Sequence, residues 1–192
     1  MNNDNEKPDD AAAPSADDVL GFWFDELEPR QHFAKDTKLD ALIGERFGAV
    51  HAAAARGELH AWRDDAAGRL AEIIVLDQFS RNLFRDDPRA FACDPMALAL
   101  AQEAVRAGAD QALPRARRAF LYMPYMHSES PRIHALAVEL FKQDGLEGNL
   151  KFEYGHKKII DRFGRYPHRN AALGRTSTAE EEAFLAEPGS SF

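Results

Sequence analysis

The chain has 192 residues, 45% hydrophobic and 29% charged, and a formal net charge of -8. That length suits one domain able to bury roughly 70% of its unfolded surface. The acidic balance argues against nonspecific nucleic-acid binding, which depends on neutralising many phosphates. No stretch approaches the ~20 consecutive apolar residues of a transmembrane helix, and no basic amphipathic segment points to a membrane surface. The N-terminus MNNDNEKPDD is acidic, without the apolar core of a signal peptide, so a cytoplasmic location is expected. The single cysteine, Cys93, rules out an intramolecular disulfide and any multi-cysteine metal site, and reads as a small buried residue.

Residues 1 to 14, rich in acids, prolines and alanines, read as a disordered acidic tail, and residues 15 to 192 as a single all-helical domain. Ser15 with Asp18 opens a helix through DDVLGFWFDEL. Thr37 with Asp40 opens a second, which Gly57 can end. Residues 65 to 84 are apolar nearly all round, the mark of a helix buried among others. Asp94-Pro95 reads as an N-cap followed by proline at the first helical position. Pro114 starts RARRAFLYMPYMH, in which Pro124 should kink or shorten the end. Ser130-Pro131 begins a helix closed by Gly145, and another covers about 148 to 163 before Gly164. Thr178 and Glu181 form a capping box for a last short helix. About eight helices joined by short turns, with no period-2 strand, predict an all-α array of antiparallel neighbours. No 34-residue repeat is visible.

Several polar residues fall on the apolar helical faces. Asp77 and Arg81 lie one turn apart on the face of Leu70, Ile73, Ile74 and Phe84. Such a pair can fix helix packing, or Arg81 can hold an anion in a cavity while Asp77 orients it. His127 continues the stripe Ala116, Phe120, Met123, and His156 sits within Phe152, Ile159, Ile160 and Phe163. A histidine on an apolar face is either a satisfied core residue or part of a site. The HSES run is a plausible turn and N-cap, with Glu129 as an acid or base partner. His127, Glu129, His134 and His156 supply metal donors, but no HExxH-like spacing is present, and no metal or cofactor is expected. There is no GxSxG elbow for a serine triad.

Two basic stretches stand out. Arg115, Arg117 and Arg118 read as a solvated helix face. RFGRYPHRNAALGRTST, residues 162 to 178, holds four arginines, a histidine and an asparagine without an acid. Gly164 and Thr178 account for its ends as helix punctuation, and Pro167 should stiffen an extended turn. Its middle, His168-Arg169-Asn170, is either a latch for the C-terminus or a wall of a site.

Together VLGFWF, LDQFSRNLFR, FLYMPYMHSE and FGRYPHRNAALGRTSTAEEEAFL resemble the bacterial family catalogued as domain of unknown function 924, from about residue 18 to the C-terminus. The resemblance implies a tetratricopeptide-repeat-like fold of helical hairpins in a right-handed superhelix, and no activity. Asp77, Gln78, Arg81, Asn82, His127, Glu129, His168, Arg169 and Asn170 fall in matching blocks, as does Arg165. His32 stands where tryptophan is usual. Ser80 stands where proline is usual, which should make the central helix straighter.

Two functions compete. In the first, a pocket binds a small anionic molecule through Arg81, Arg165 and Arg169, supported by Asp77, Gln78, Asn82, Glu129 and Asn170. His127, His156 and His168 are then the candidate proton-transfer groups for hydrolysis or group transfer. In the second, a non-catalytic helical scaffold presents the arginines to an acidic peptide.

Overall fold

The computed structural model describes residues 13–190. The acidic tail expected over residues 1 to 14 lies, up to residue 12, outside the described residues. All eight expected helices are present, and no strand occurs among the described residues. They are α1 (Ala16–Gly21), α2 (Thr37–Ala55), α3 (Ala66–Ile74) running on into α4 (Ser80–Leu83), α6 (Asp94–Arg106), α7 (Arg115–Met126), α8 (Pro131–Phe141), α9 (Glu147–Phe163) and α10 (Ala179–Leu185), with a single extra turn, α5 (Arg89–Ala92), before α6. No described helix is long and apolar enough to cross a membrane.

The caps explain most of these boundaries. Ser15 caps α1 and Thr178 caps α10, each in a reciprocal capping box with Asp18 or Glu181. Gly164 ends α9 in the left-handed region at φ 69°. Two caps differ from expectation. The cap of α2 is Asp36, whose carboxylate accepts from Lys38 and Leu39, because Asp40 is drawn away to Arg85 and Asn82. Asp94 is the first helical residue of α6 and makes no cap bond, because its carboxylate faces two arginines. Pro124 sits inside α7, which continues to Met126. Pro167 opens a 3₁₀ turn, Pro167–Arg169, rather than an extended one.

The central rod holds the longest unbroken run of buried residues among those described. Every residue from Leu70 to Ser80 is buried, as the all-round apolar pattern predicts. It packs on α1, α2, α6 and α7, and α6 to α9 each pack on the next. The rod is not one uniform α-helix, however. Between α3 and α4 it passes through a π-helical turn, Val75–Phe79. The hydroxyl of Ser80 donates to the Leu76 carbonyl at 2.6 Å, a back-bond that competes with the helix ladder. His51 Nε2–H donates in turn to that hydroxyl at 2.8 Å. A second π turn, Phe22–Glu26, meets the first through Phe22, Trp23, Phe47 and Phe79, with ring centroids 5.1 to 6.2 Å apart.

Where α3 begins, its backbone lies directly against the Trp62 carbonyl at Gly68, so a Cβ there would collide with fixed main chain. Overpacking of this kind costs about 1–3 kcal/mol. We expect Gly68→Ala to lose that much stability in urea denaturation, although alanine is the better helix former.

Candidate functional site

The π turn places Asp77 with its side chain 1% exposed. Burial alone would disfavour its charge. The interaction with His127 and the charge of Arg81, with a hydrogen bond from Gln78, reverse that and hold the carboxyl far below the usual carboxylate range. Its Oδ1 accepts from His127 Nδ1–H at 2.8 Å and its Oδ2 from Gln78 at 2.6 Å. Arg81 lies 3.4 Å from Oδ1 and donates to the Asp77 carbonyl at 2.6 Å. The predicted i,i+4 pair is therefore real, and His127 is its third member.

An ionised carboxylate only accepts, so the His127 proton sits on Nδ1 and Nε2 carries a lone pair. Burial pushes the His127 pKa down, as does Arg81, against the pull of Asp77, and the ring is neutral at pH 7. A neutral imidazole oriented by a buried carboxylate is the arrangement of a general base.

His127 lines a cleft of about 330 Å³ between the start of α6, the α7–α8 turn and the segment after α9. Asp94, Ser128, Glu129 and Arg169 complete its polar side. Phe91, Pro95, Leu98, Pro124 and Leu173 form its apolar side. Arg81 donates to both oxygens of Asp94 at 3.1 Å, and Arg169 donates to Asp94 at 3.2 Å and to the His127 carbonyl at 3.0 Å. The two guanidiniums also lie over the Phe91 ring, at 5.7 and 4.6 Å. The fork expected to hold a ligand's anion thus already holds a carboxylate of this chain. Arg169 is buried, and its Nε–H has no hydrogen-bond partner among the described residues. Such an orphan donor costs about 1–3 kcal/mol.

The other two candidate histidines lie elsewhere. His156 and His168 pack on Tyr166, ring centroids 5.8 and 5.4 Å away. His156 Nδ1–H donates to the Phe152 carbonyl at 2.9 Å. Burial is the main cause that pushes their pKa values down, to about 3 for His156 and about 4 for His168. His134 joins the same group: its Nε2–H donates to the Ser128 carbonyl at 2.8 Å and its Nδ1 faces buried Glu153 at 2.7 Å. Burial raises the Glu153 carboxyl. Among the described residues no group of three or more His, Cys, Asp or Glu is placed to hold a metal.

The remaining predicted residues have structural partners. Glu129 accepts from the Tyr166 amide at 2.7 Å and binds Arg175 through both oxygens, at 2.6 and 2.9 Å. Arg165 grips Glu181 with two hydrogen bonds, and Asn170 reaches Ser177 and Glu181. Asn82 turns away from the cleft to Asp40. Cys93 is half-buried rather than buried, and burial raises its thiol. Arg118 of the basic stretch is engaged with Gln143 and the Leu113 carbonyl, while Arg115 is exposed. Sequence reasoning missed Asp94, Tyr166 and Arg175 as members of this network, and the apolar wall entirely. A second depression of about 340 Å³ lies beside α2. There Glu26 is held by Arg46 and Asp36 caps a helix, so it offers no comparable chemistry.

Removing the Asp77 carboxylate leaves Arg81 and the His127 Nδ1–H without their buried acceptor. Breaking one side of such a pair costs about 3–5 kcal/mol, and Asp77→Ala should lose that much in urea denaturation. The depressed histidines make a second expectation. An unfolded imidazole takes its proton near pH 6.5, whereas His156 and His168 resist until about 3 and about 4. Their contribution is complete above the unfolded value and is lost as pH falls towards the folded ones. The melting temperature should therefore drop between pH 6.5 and 4, and His156→Gln should flatten that decline.

The comparisons agree with this architecture. A protein of unknown function, ATU0120, from Agrobacterium tumefaciens has a solved structure that is 39% identical in sequence, with a TM-score of 0.83. The match covers 89% of this chain and 96% of that one. Among curated proteins no relative matches. The model of the family described as "Bacterial protein of unknown function (DUF924)" matches residues 19–189, almost the whole described fold, and the chain belongs to that family.

Proposed function

We propose that the cleft binds a small molecule and that His127, held by Asp77, acts on it as a general base. The observation that carries this reading is the 2.8 Å Asp77–His127 hydrogen bond at the edge of a cleft with a polar side and an apolar side. Nε2 has no hydrogen bond to any described residue and is the basic atom offered to a ligand. The cleft volume, near the lower end of ligand pockets, suits a molecule of about a dozen heavy atoms. The reaction class is hydrolysis or group transfer begun by removing a proton from water or a hydroxyl group. Asp77 keeps the imidazole in the required tautomer and is a positioning residue.

The scaffold reading has weaker support. It needs arginines free to clamp a partner's carboxylates. Arg81, Arg165, Arg169 and Arg175 are each engaged with a carboxylate of this chain. The exposed side chains that favour it are Leu136, Phe152 and Tyr154 on α8 and α9.

The test is a panel of chromogenic carboxylic and phosphoric esters. Wild type should turn over at least one, with a rate that falls on the acid side of the ordinary imidazole range as His127 protonates, because burial holds its pKa down. His127→Gln, which cannot act as a base, should lose about 10²–10⁴-fold in a sample that circular dichroism shows to be folded. Equal rates in the two proteins would remove the general-base role.

A further inference from the structure

The cleft has a charge inventory that narrows its ligand. Three carboxylates, Asp77, Asp94 and Glu129, meet three guanidiniums, Arg81, Arg169 and Arg175, in direct ion pairs. The set is electrically balanced, and it sits in a chain of net charge -8. Two arginines side by side ordinarily mark a site for phosphate or carboxylate. Here Asp94, at the first position of α6, occupies that place itself, taking both donors of Arg81 at 3.1 Å and one of Arg169 at 3.2 Å. A second anion would have to break the ion pairs of Asp94 or lie against it with like-charge repulsion.

What the protein leaves uncommitted is different in kind. The buried Arg169 Nε–H lacks an acceptor among the described residues. His127 Nε2 is an acceptor that lacks a donor among them. Leu98, Leu173, Pro95 and Phe91 supply apolar wall. The Arg169 Nε–H is closed off from solvent, so the groups left for a ligand are His127 Nε2 and the apolar wall, which a donor or water and an apolar body complete without any added charge.

We infer that the cleft selects an uncharged carbonyl compound, a carboxylic ester or amide with a short apolar body, and that Asp94 is the residue that excludes anions. This rests on the cleft being a ligand site, as proposed above. For an ester the step balances. His127 Nε2 takes a proton from water as the water oxygen bonds to the carbonyl carbon. The tetrahedral adduct then breaks its bond to the alkoxy oxygen, which leaves with the proton from His127. The acid left behind gives its remaining proton to solvent, and the resulting carboxylate is repelled by the same Asp94, so discrimination against anions also favours release of product.

The experiment compares phenylacetamide with phenylacetate, two probes of one shape that differ by a charge. Binding is followed at pH 7.5 through the His127 ring resonances. Wild type should bind the amide at least tenfold more tightly than the carboxylate. Asp94→Asn should move the preference at least tenfold towards phenylacetate. Wild type preferring phenylacetate, or holding both alike, would overturn the inference while leaving the cleft a ligand site. An unchanged preference in folded Asp94→Asn would remove Asp94 from the role. If neither probe reaches His127, the ligand site itself fails and the inference with it. If Asp94→Asn does not fold, by circular dichroism, the wild-type pair decides alone.

Discussion

Putting an ionised carboxylate in the middle of a helical core is costly, by several kcal/mol per ion after relaxation, and the placement of Asp77 organises what surrounds it. The charge survives only because His127, Gln78 and Arg81 converge on it. Each of these partners ties down a different piece of chain. His127 pins the end of α7 to the central rod. Arg81 reaches on to Asp94 and so fixes the start of α6. Asp94 then holds Arg169, which brings the segment after α9 to the same place. A chain of alternating charges therefore joins three helices and the C-terminal region, and the cleft is the space left at its open side.

The segment from Arg165 to Leu185 acts as both latch and wall, divided residue by residue. Arg165 and Asn170 secure α10 through Glu181, and Arg175 secures the α7–α8 turn through Glu129. Tyr166 is buried beneath, its hydroxyl donating to the Met126 carbonyl at 2.6 Å. Arg169 and Leu173 alone face the cleft. Loosening the latch would thus remove one side of the site and free the His127 carbonyl from Arg169, while leaving the Asp77–His127 hydrogen bond in place.

The fold was largely legible because caps and periodicity are local properties. Ser15, Thr178 and Gly164 announce their helix ends within a few residues. The Asp77–Arg81 pair was legible for the same reason, since i and i+4 share a helix face. Asp94 was not. Aspartate before proline is a helix-start signal, and nothing local tells that its carboxylate is instead drawn to arginines 13 and 75 residues away. Asn82 enters the expected pocket through the matching block it shares with Arg81, but one residue along a helix turns the side chain by about 100°, and it faces Asp40. The π turn was hidden because replacing proline by serine restores a backbone donor on paper. In the fold the serine hydroxyl takes over the Leu76 carbonyl, next to the π turn. Long-range charge pairing and the register of a helix against its neighbours are set by packing, which a single chain's periodicity does not encode.

Three histidines with depressed basicity illustrate the same limit in chemical terms. His127, His156 and His168 are all neutral at pH 7 for one dominant reason, desolvation. Titration behaviour therefore does not single out a base among them. Orientation does. His156 gives its Nδ1 proton to its own helix, and His168 lies against Tyr166. His127 gives its proton to a buried carboxylate and borders open space. A carboxylate partner differs from a backbone carbonyl in what happens after proton transfer. When Nε2 takes up a proton, Asp77 stabilises the imidazolium, which a neutral carbonyl does far less well. The difference grows with burial, because charge interactions strengthen as water is excluded. Of the three rings, His127 is the one whose surroundings favour both states of a base.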